Sequence, residues 1–320
     1  MIRRILSSAL LLLSSTGLGI AADGEVQLIR SGRINEAINH LQERVKADPT
    51  DADSLNLLSR AYYSIEQWDD AIATSQRALK LQPNRSEFHS WMGRAYGEKA
   101  DTVGMLGAAS LARKTKSEFE KAVQLNPAAS QARLDLAEYY IEAPGFMGGG
   151  MDKASAQADA TSRFDAAASH LIRARMAQHG KNFDEAELEF KAAIATAKTP
   201  ANYWVNLASF YQSRGRLPEM EAAITKAVAT PGRSSGVLYD SAGVLNRAGR
   251  NLPGAIQYLR QYLDEGHFDE DAPAFRAHFL MGQVLEKMQR QNDAIAEYRA
   301  TLAMASDFKK AQSALQKLQG

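Results

Sequence analysis

The chain has no cysteine among its 320 residues. That excludes disulfides, a thiolate nucleophile, a cysteine-based metal site and a lipidated cysteine at an exported N-terminus. It does not fix the compartment. Neither sign of charge is in excess, since the formal net charge is +1. Nucleic-acid binding leaves a clear basic excess or stripe, and a polybasic membrane patch would do the same, so neither partner is expected. No stretch alternates apolar and polar residues as a half-buried strand would. The six histidines (His40, His89, His170, His179, His267 and His278) include no metalloprotease spacing and read as solvated or capping residues. No metal and no cofactor is expected.

Long apolar runs are also missing, except at the start. Met1-Ile2-Arg3-Arg4 is a short positive region, and Ile5 to Leu13 is apolar and leucine-rich. Gly19-Ile20-Ala21 then places small residues where a signal peptidase reads them. Residues 1–21 are therefore expected to be a secretory signal peptide, cleaved after Ala21 or Ala22. Arg3-Arg4 lies too near the start, before too apolar a segment, for a twin-arginine signal. With no second apolar run, no stable membrane span is expected after cleavage, and the address is periplasmic or secreted.

What the chain does have is a period. Pro49 and Pro83 are 34 residues apart, as are Ala37 and Ala71, and Ala186 and Met220. Ala255 and Ala294 follow at slightly longer intervals. Apolar residues recur three and four apart, the spacing of helices. Trp204, Leu207, Ala208 and Tyr211 make the buried stripe of one first helix. Gly215 ends it, and Ile224 and Ala227 face inward from the second helix before Pro231-Gly232 stops it. Leu55, Leu58 and Tyr62 precede Ala71-Ile72 in the same way, and Met281-Gly282 and Leu285 precede Ala294 and Tyr298. Acidic pairs such as Asp69-Asp70 and Asp184-Glu185 sit where second helices start and offset the helix dipole.

These units resemble tetratricopeptide repeats (TPRs), whose pattern runs Trp-x2-Leu-Gly-x2-Tyr, Ala-x3-Phe, then Pro. Trp204-x2-Leu207-Ala208-x2-Tyr211 matches with Ala for Gly, and Ala186-x3-Phe190 and Ala294-x3-Tyr298 match the second helix. The resemblance implies an all-α solenoid, a right-handed superhelix of about eight helix pairs over residues 22–306. Residues 307–320 then cap the last pair, with Phe308, Ala311, Leu315 and Leu318 on one face. The first pair is short, its first helix having only about Asp23 to Arg30. In such arrays each unit touches only its neighbours.

Two consecutive units are too long. Pro83 to Pro127 spans 44 residues, with extra sequence near 100–114, and a second excess lies near 143–151. Both fall between the first and second helices of a pair, so the two insertions should meet on one edge. They carry Val103, Leu106, Phe146 and Met147, which either fill that edge or form a partner-binding patch. The Ala-Pro-Gly…Gly-Gly-Gly segment is similar to one in a group of exported bacterial TPR proteins. Gly148-Gly149-Gly150 follows a helix rather than a strand and fits neither phosphate-binding fingerprint.

The family's inner groove is lined by first helices. Arg60, Arg94 and Arg175 occupy matching places there, just after the small residue, while Glu138, Ser209, Val244 and Gln283 take that place in other units. With Tyr63 they are candidate contacts for a peptide or its carboxylate. They do not match the Lys/Asn carboxylate clamp of chaperone-binding TPR domains. The expected function is an exported scaffold for protein–protein or protein–peptide interactions in the cell envelope, not an enzyme. The alternatives are a hydrolase acting on envelope polymers, which would require a buried carboxylate or histidine cluster, and a glycan-binding module near Tyr63 and Tyr96.

Overall fold

The computed structural model describes residues 22–320, and the expected signal peptide lies outside the described residues. Seventeen α-helices and one 3-10 turn occupy the described chain, with no strand among the described residues. The pairs run α1 (Ala22–Arg30) with α2 (Ile34–Ala47), α3 (Ala52–Ser64) with α4 (Trp68–Leu81), and α5 (Ser86–Ala100) with α6 (Met105–Leu125). Then come α7 (Ser130–Glu142) with α8 (Met151–Thr161), α9 (Ala166–His179) with α10 (Phe183–Thr196), and α11 (Ala201–Ser213) with α12 (Leu217–Ala229). The last are α13 (Gly236–Ala248) with α14 (Leu252–Glu265), α15 (Ala274–Lys287) with α16 (Gln291–Met304), and the single helix α17 (Lys309–Gln319). The all-α helical repeat and its eight pairs are as expected.

One turn geometry recurs and explains the period. In five pairs three residues join the helices, and the middle one takes a left-handed conformation: Gly32, Glu66, Lys181, Gly215 and Gln289, at φ between 60° and 76°. The next amide then reaches back to cap the first helix, for example Arg33 N to Leu28 O at 2.9 Å, Gln67 N to Tyr62 O at 3.0 Å and Arg290 N to Leu285 O at 2.9 Å. The seventh pair does the same one position earlier, at Gly249. Only two of the five middle positions are glycine, so a glycine search alone would have missed most of these turns.

The small and large residues of the pattern meet as the packing argument requires. A Cβ on Gly93 would lie 2.6 Å from the Phe119 ring, and one on Gly282 would run into Tyr298. Ala71, Ala122, Ala186 and Ala294 are fully buried, because a methyl group is all that the approach of two helices leaves room for.

The third and fourth pairs lack the three-residue turn. Here the sequence expectation is corrected in part. Most of residues 100–114 is helix rather than loop: only Asp101–Gly104 bends, and α6 runs for 21 residues against 13 or 14 for most others. Ala108, Ala109, Leu111 and Ala112 are strong helix formers, so the inserted residues extend the helix by about two turns. The second insertion is a compact turn, Ala143–Gly150, around a 3-10 segment Gly145–Met147.

The chain divides into two compact units. One comprises Ala47–Tyr63 and Gln67–Tyr203, and it holds both insertions. The other combines residues 22–46, Ser64–Glu66 and Trp204–Gly320. In it the first pair touches the last, against the expectation that a unit contacts only its neighbours. Asn35 Oδ1 accepts from the Ser306 amide at 3.0 Å, and Gly32 lies so close to the Phe275 backbone that a Cβ would be 2.6 Å from its nitrogen. Phe308 packs edge-on against Phe275 and Phe279, at 5.4 and 5.0 Å, and Ala311 is fully buried, so α17 covers the last pair as expected.

Candidate functional site

The residues singled out from the sequence all lie in the first unit, in two groups. Arg60, Arg94 and Arg175 follow the small residue of α3, α5 and α9, and the first two reach to the next pair. Arg60 Nη1 donates to Glu87 Oε1 at 2.8 Å, on the first turn of α5. Arg94 Nε donates to Asp135 Oδ2 at 2.9 Å, on α7, while Gln131 donates to the other oxygen of that carboxylate at 2.7 Å. Both guanidinium groups also lie against the indole of Trp91, 5.2 and 5.0 Å from its centroid. Tyr63 completes the group, edge-on to Trp91 at 5.5 Å and to Trp68 at 5.1 Å. Thus Arg60, Tyr63, Trp91 and Arg94 form one ordered cluster.

Arg175 stands apart from it. Its guanidinium lies 5.9 Å from the Phe190 ring, and its charge acts on Glu138, which holds the equivalent place on α7. Burial pushes the Glu138 carboxyl above its ordinary range, Arg175 opposes that, and Glu142 and Asp135 add to it. Glu138 is the residue nearest to what a hydrolase would require. Its neighbour Asp135 is tied down by Arg94 and Gln131, so the two carboxylates do not face each other as a free acid–base pair. Among the described residues no group of three or more His, Asp or Glu is placed to hold a metal ion. Tyr96, expected beside a glycan groove, is 3% exposed and accepts a hydrogen bond from Gln76 at 3.0 Å, so its ring is packing material.

The second group is the insertion edge, where the two insertions meet. Met147 packs onto a buried cluster of Ala112 and Phe119 from α6, Leu136, Tyr139 and Tyr140 from α7, and Ala154 from α8. Tyr139 Oη donates to Met147 O at 2.8 Å, and the Lys116 side chain lies against Gly148. Met147 therefore fills the edge. Its companions do not: Val103, Leu106 and Phe146 are exposed, the last two at 91% and 80%.

Sequence reasoning took the histidines to be solvated or capping, and three of them are not. His89 pairs with Glu118 at 2.6 Å, His170 with Glu189 at 2.6 Å, and His278 with Glu297 at 2.7 Å. Each pair bridges the two helices of one repeat. A signal was present: each histidine stands four residues before the small residue (Gly93, Ala174 or Gly282), and each glutamate directly before the large aromatic (Phe119, Phe190 or Tyr298). Burial alone pulls the His89 pKa down, but the Glu118 carboxylate and the Pro83 carbonyl together outweigh it and leave it raised.

Residues 28–95 match a family model described as Tetratricopeptide repeat. Over 76 residues the chain is 33% identical to a probable UDP-N-acetylglucosamine–peptide N-acetylglucosaminyltransferase SEC of Arabidopsis thaliana. That stretch is 24% of this chain and 8% of that protein's length. Among solved structures, MamA is similar at 21% identity, with 57% of this chain and 96% of that one covered and a TM-score of 0.43. A tetratricopeptide repeat protein of Parabacteroides merdae is 13% identical, covering 93% and 97%, with a TM-score of 0.43. A thermophilic TPR protein of Thermus thermophilus is 18% identical, covering 70% and 99%, with a TM-score of 0.45.

Proposed function

We propose that this chain of tetratricopeptide repeats is an exported scaffold that holds protein or peptide segments in the cell envelope. The repeats themselves indicate a protein–protein interaction scaffold. The export and the compartment rest on the N-terminal pattern of residues 1–21, positive then apolar then small. The observation that carries a binding site is the cluster of Arg60, Tyr63 and Trp91, with the buried Arg94 bracing Trp91. Tryptophan, tyrosine and arginine are the residues that most often dominate interface energies. Here their partners in the next helix pair already hold them in place, so little side-chain entropy is lost when a segment is laid against them.

The test has two arms. The N-terminus of the protein recovered from the envelope fraction should begin at Ala22 or Asp23; a chain still carrying Met1 in the cytoplasm ends the export reading. Mature protein would next be crosslinked in envelope extract, and any partner identified by mass spectrometry would be purified and titrated. Trp91→Ala with Arg60→Gln is expected to weaken that titration at least tenfold while the helical signal is unchanged. Equal binding by native and variant moves the site elsewhere, and no partner at all defeats the scaffold reading.

A further inference from the structure

We infer that the insertion edge is a docking surface for an anionic lipid bilayer. Seven large apolar side chains are exposed among the described residues, and four of them (Val103, Met105, Leu106 and Phe146) belong to the two insertions. The three most exposed, Met105 at 86%, Leu106 at 91% and Phe146 at 80%, are all here. They are not an accident of a loose loop. Every residue from Asp101 to Gly107 is exposed, yet the base beneath them is tied to the core. Ala112 and Met147 are packed in the same cluster, the Gly150 amide donates to Tyr140 O at 2.8 Å, and Lys153 Nζ donates to Gly148 O at 2.8 Å.

The local charge complements an anionic surface. Residues 102–117 contain no acidic residue and three bases, Arg113, Lys114 and Lys116, while residues 143–151 carry no charge at all. The chain's total of +1 averages this away. Arg113 and Lys114 are exposed, Lys114 lying over the Tyr96 ring, and Lys116 reaches Glu120 only at 4.0 Å. The acids lie at the margins: Asp101 before α6, Glu118 engaged by His89, Glu120 accepting from Tyr140 at 2.8 Å, and Glu142 and Asp152 on either side of the second insertion.

Geometry favours a bilayer over a folded protein. The exposed side chains project into open space: Leu106 and Phe146 are 91% and 80% exposed, and nothing lies within 4 Å of where a Cβ would sit on Gly104 or Gly145. Protein hot spots are buried in packed pockets with a rim that excludes water, and projecting side chains need a deep complementary pocket to achieve that. A bilayer surrounds them without one. Interfacial segments sink their apolar face roughly 5–10 Å, with Lys and Arg at the headgroups. Along α6, Met105 lies about 10 Å from Ala112, and Arg113 to Lys116 follow within the next turn. With these side chains inserted to that depth, the three bases reach the phosphates.

The experiment is flotation of the mature chain with vesicles of phosphatidylglycerol and phosphatidylcholine, against phosphatidylcholine alone. Binding to the anionic vesicles is expected to be about tenfold stronger or more, and to weaken as salt is added. Met105→Ser with Leu106→Ser and Phe146→Ser should lose binding to both kinds of vesicle. Arg113→Gln with Lys114→Gln and Lys116→Gln should lose only the anionic preference. All six side chains lie outside the packed core, and unchanged circular dichroism and melting confirm intact folding. In a second readout, Leu106→Trp should blue-shift its emission on anionic vesicles. Failure of the native chain to float, or equal flotation of native and serine variant, overturns the assignment. So does loss of a purified protein partner from the serine variant when the native chain ignores lipid, which would assign the edge to protein.

Discussion

If Arg94 is a strut between α5 and α7, removing it should do more harm than removing its partner with it. The pair is buried, with side-chain exposures of 11% for Arg94 and 2% for Asp135. Arg94→Met leaves the Asp135 carboxylate with one neutral donor, Gln131 at 2.7 Å. Breaking one side of a buried ion pair costs about 3–5 kcal/mol, most of it the stranded charge. The double variant Arg94→Met with Asp135→Leu strands no charge and should lie within about 1–2 kcal/mol of the native chain. Repeat arrays unfold regionally, so global melting is a poor assay. Amide hydrogen exchange resolves the helices. A loss of about 3 kcal/mol speeds exchange in α5 and α7 roughly 150-fold, and the double variant should restore most of that protection. Exchange in Arg94→Met within about threefold of native would show that water already screens the pair, and the strut reading would be wrong. Arg94 would then be open to a ligand carboxylate, as the sequence alone suggested.

Three other outcomes are expected. Gly282→Ala forces a methyl group into the Tyr298 ring and should cost about 1–3 kcal/mol, with Tyr298→Leu restoring part of it in urea unfolding; a neutral or stabilising Gly282→Ala, as helix propensity alone predicts, refutes the small–large packing. The folded His89 pKa is raised, so the stability from its charged form is complete below the ordinary histidine value of about 6.5 and is lost as pH rises through the folded value. His89→Gln should therefore cost more near pH 5.5 than near pH 8 in regional exchange, and an equal cost at both would sink the pairing as a source of stability. Asp269 is pushed up to about 6, chiefly by burial and then by Asp271, against Arg30 and the Gly236 amide. The folded state thus prefers its neutral form, and stability falls as pH rises from the ordinary carboxylate value toward 6; Asp269→Asn should flatten that fall in the amide exchange of α13 and α14, and an unchanged slope refutes it.

Much of the fold was legible because packing in a helix-pair repeat is local. The small and large positions recur at fixed offsets, and a helix pair needs only its own 34 residues to show its stripe. That is why Gly282 and Tyr298 fall into the first and second helices of one unit on the sequence pattern alone. The left-handed turns were half-visible: Gly32 and Gly215 announce themselves, whereas Glu66, Lys181 and Gln289 adopt the same φ with no residue preference to reveal it. The inserted stretch near 100–114 read as a loop because its excess length was measured between prolines, and length does not distinguish a longer helix from a longer turn.

The sequence by itself determined the class of molecule: an all-helical repeat array of eight pairs and a capping helix. It also nominated the arginines and the insertions. Only the tertiary structure decided where those residues sit and what they touch. Whether Arg94 is available to a ligand depends on Asp135, 41 residues away, and whether an insertion's apolar side chain is core or surface depends on the neighbouring pair. Met147 and Phe146 are adjacent in sequence and alike in hydrophobicity, yet one packs into the α6–α7–α8 cluster and the other stands in solvent. Pattern records chemistry along the chain, while burial and charge pairing are properties of the space between helices.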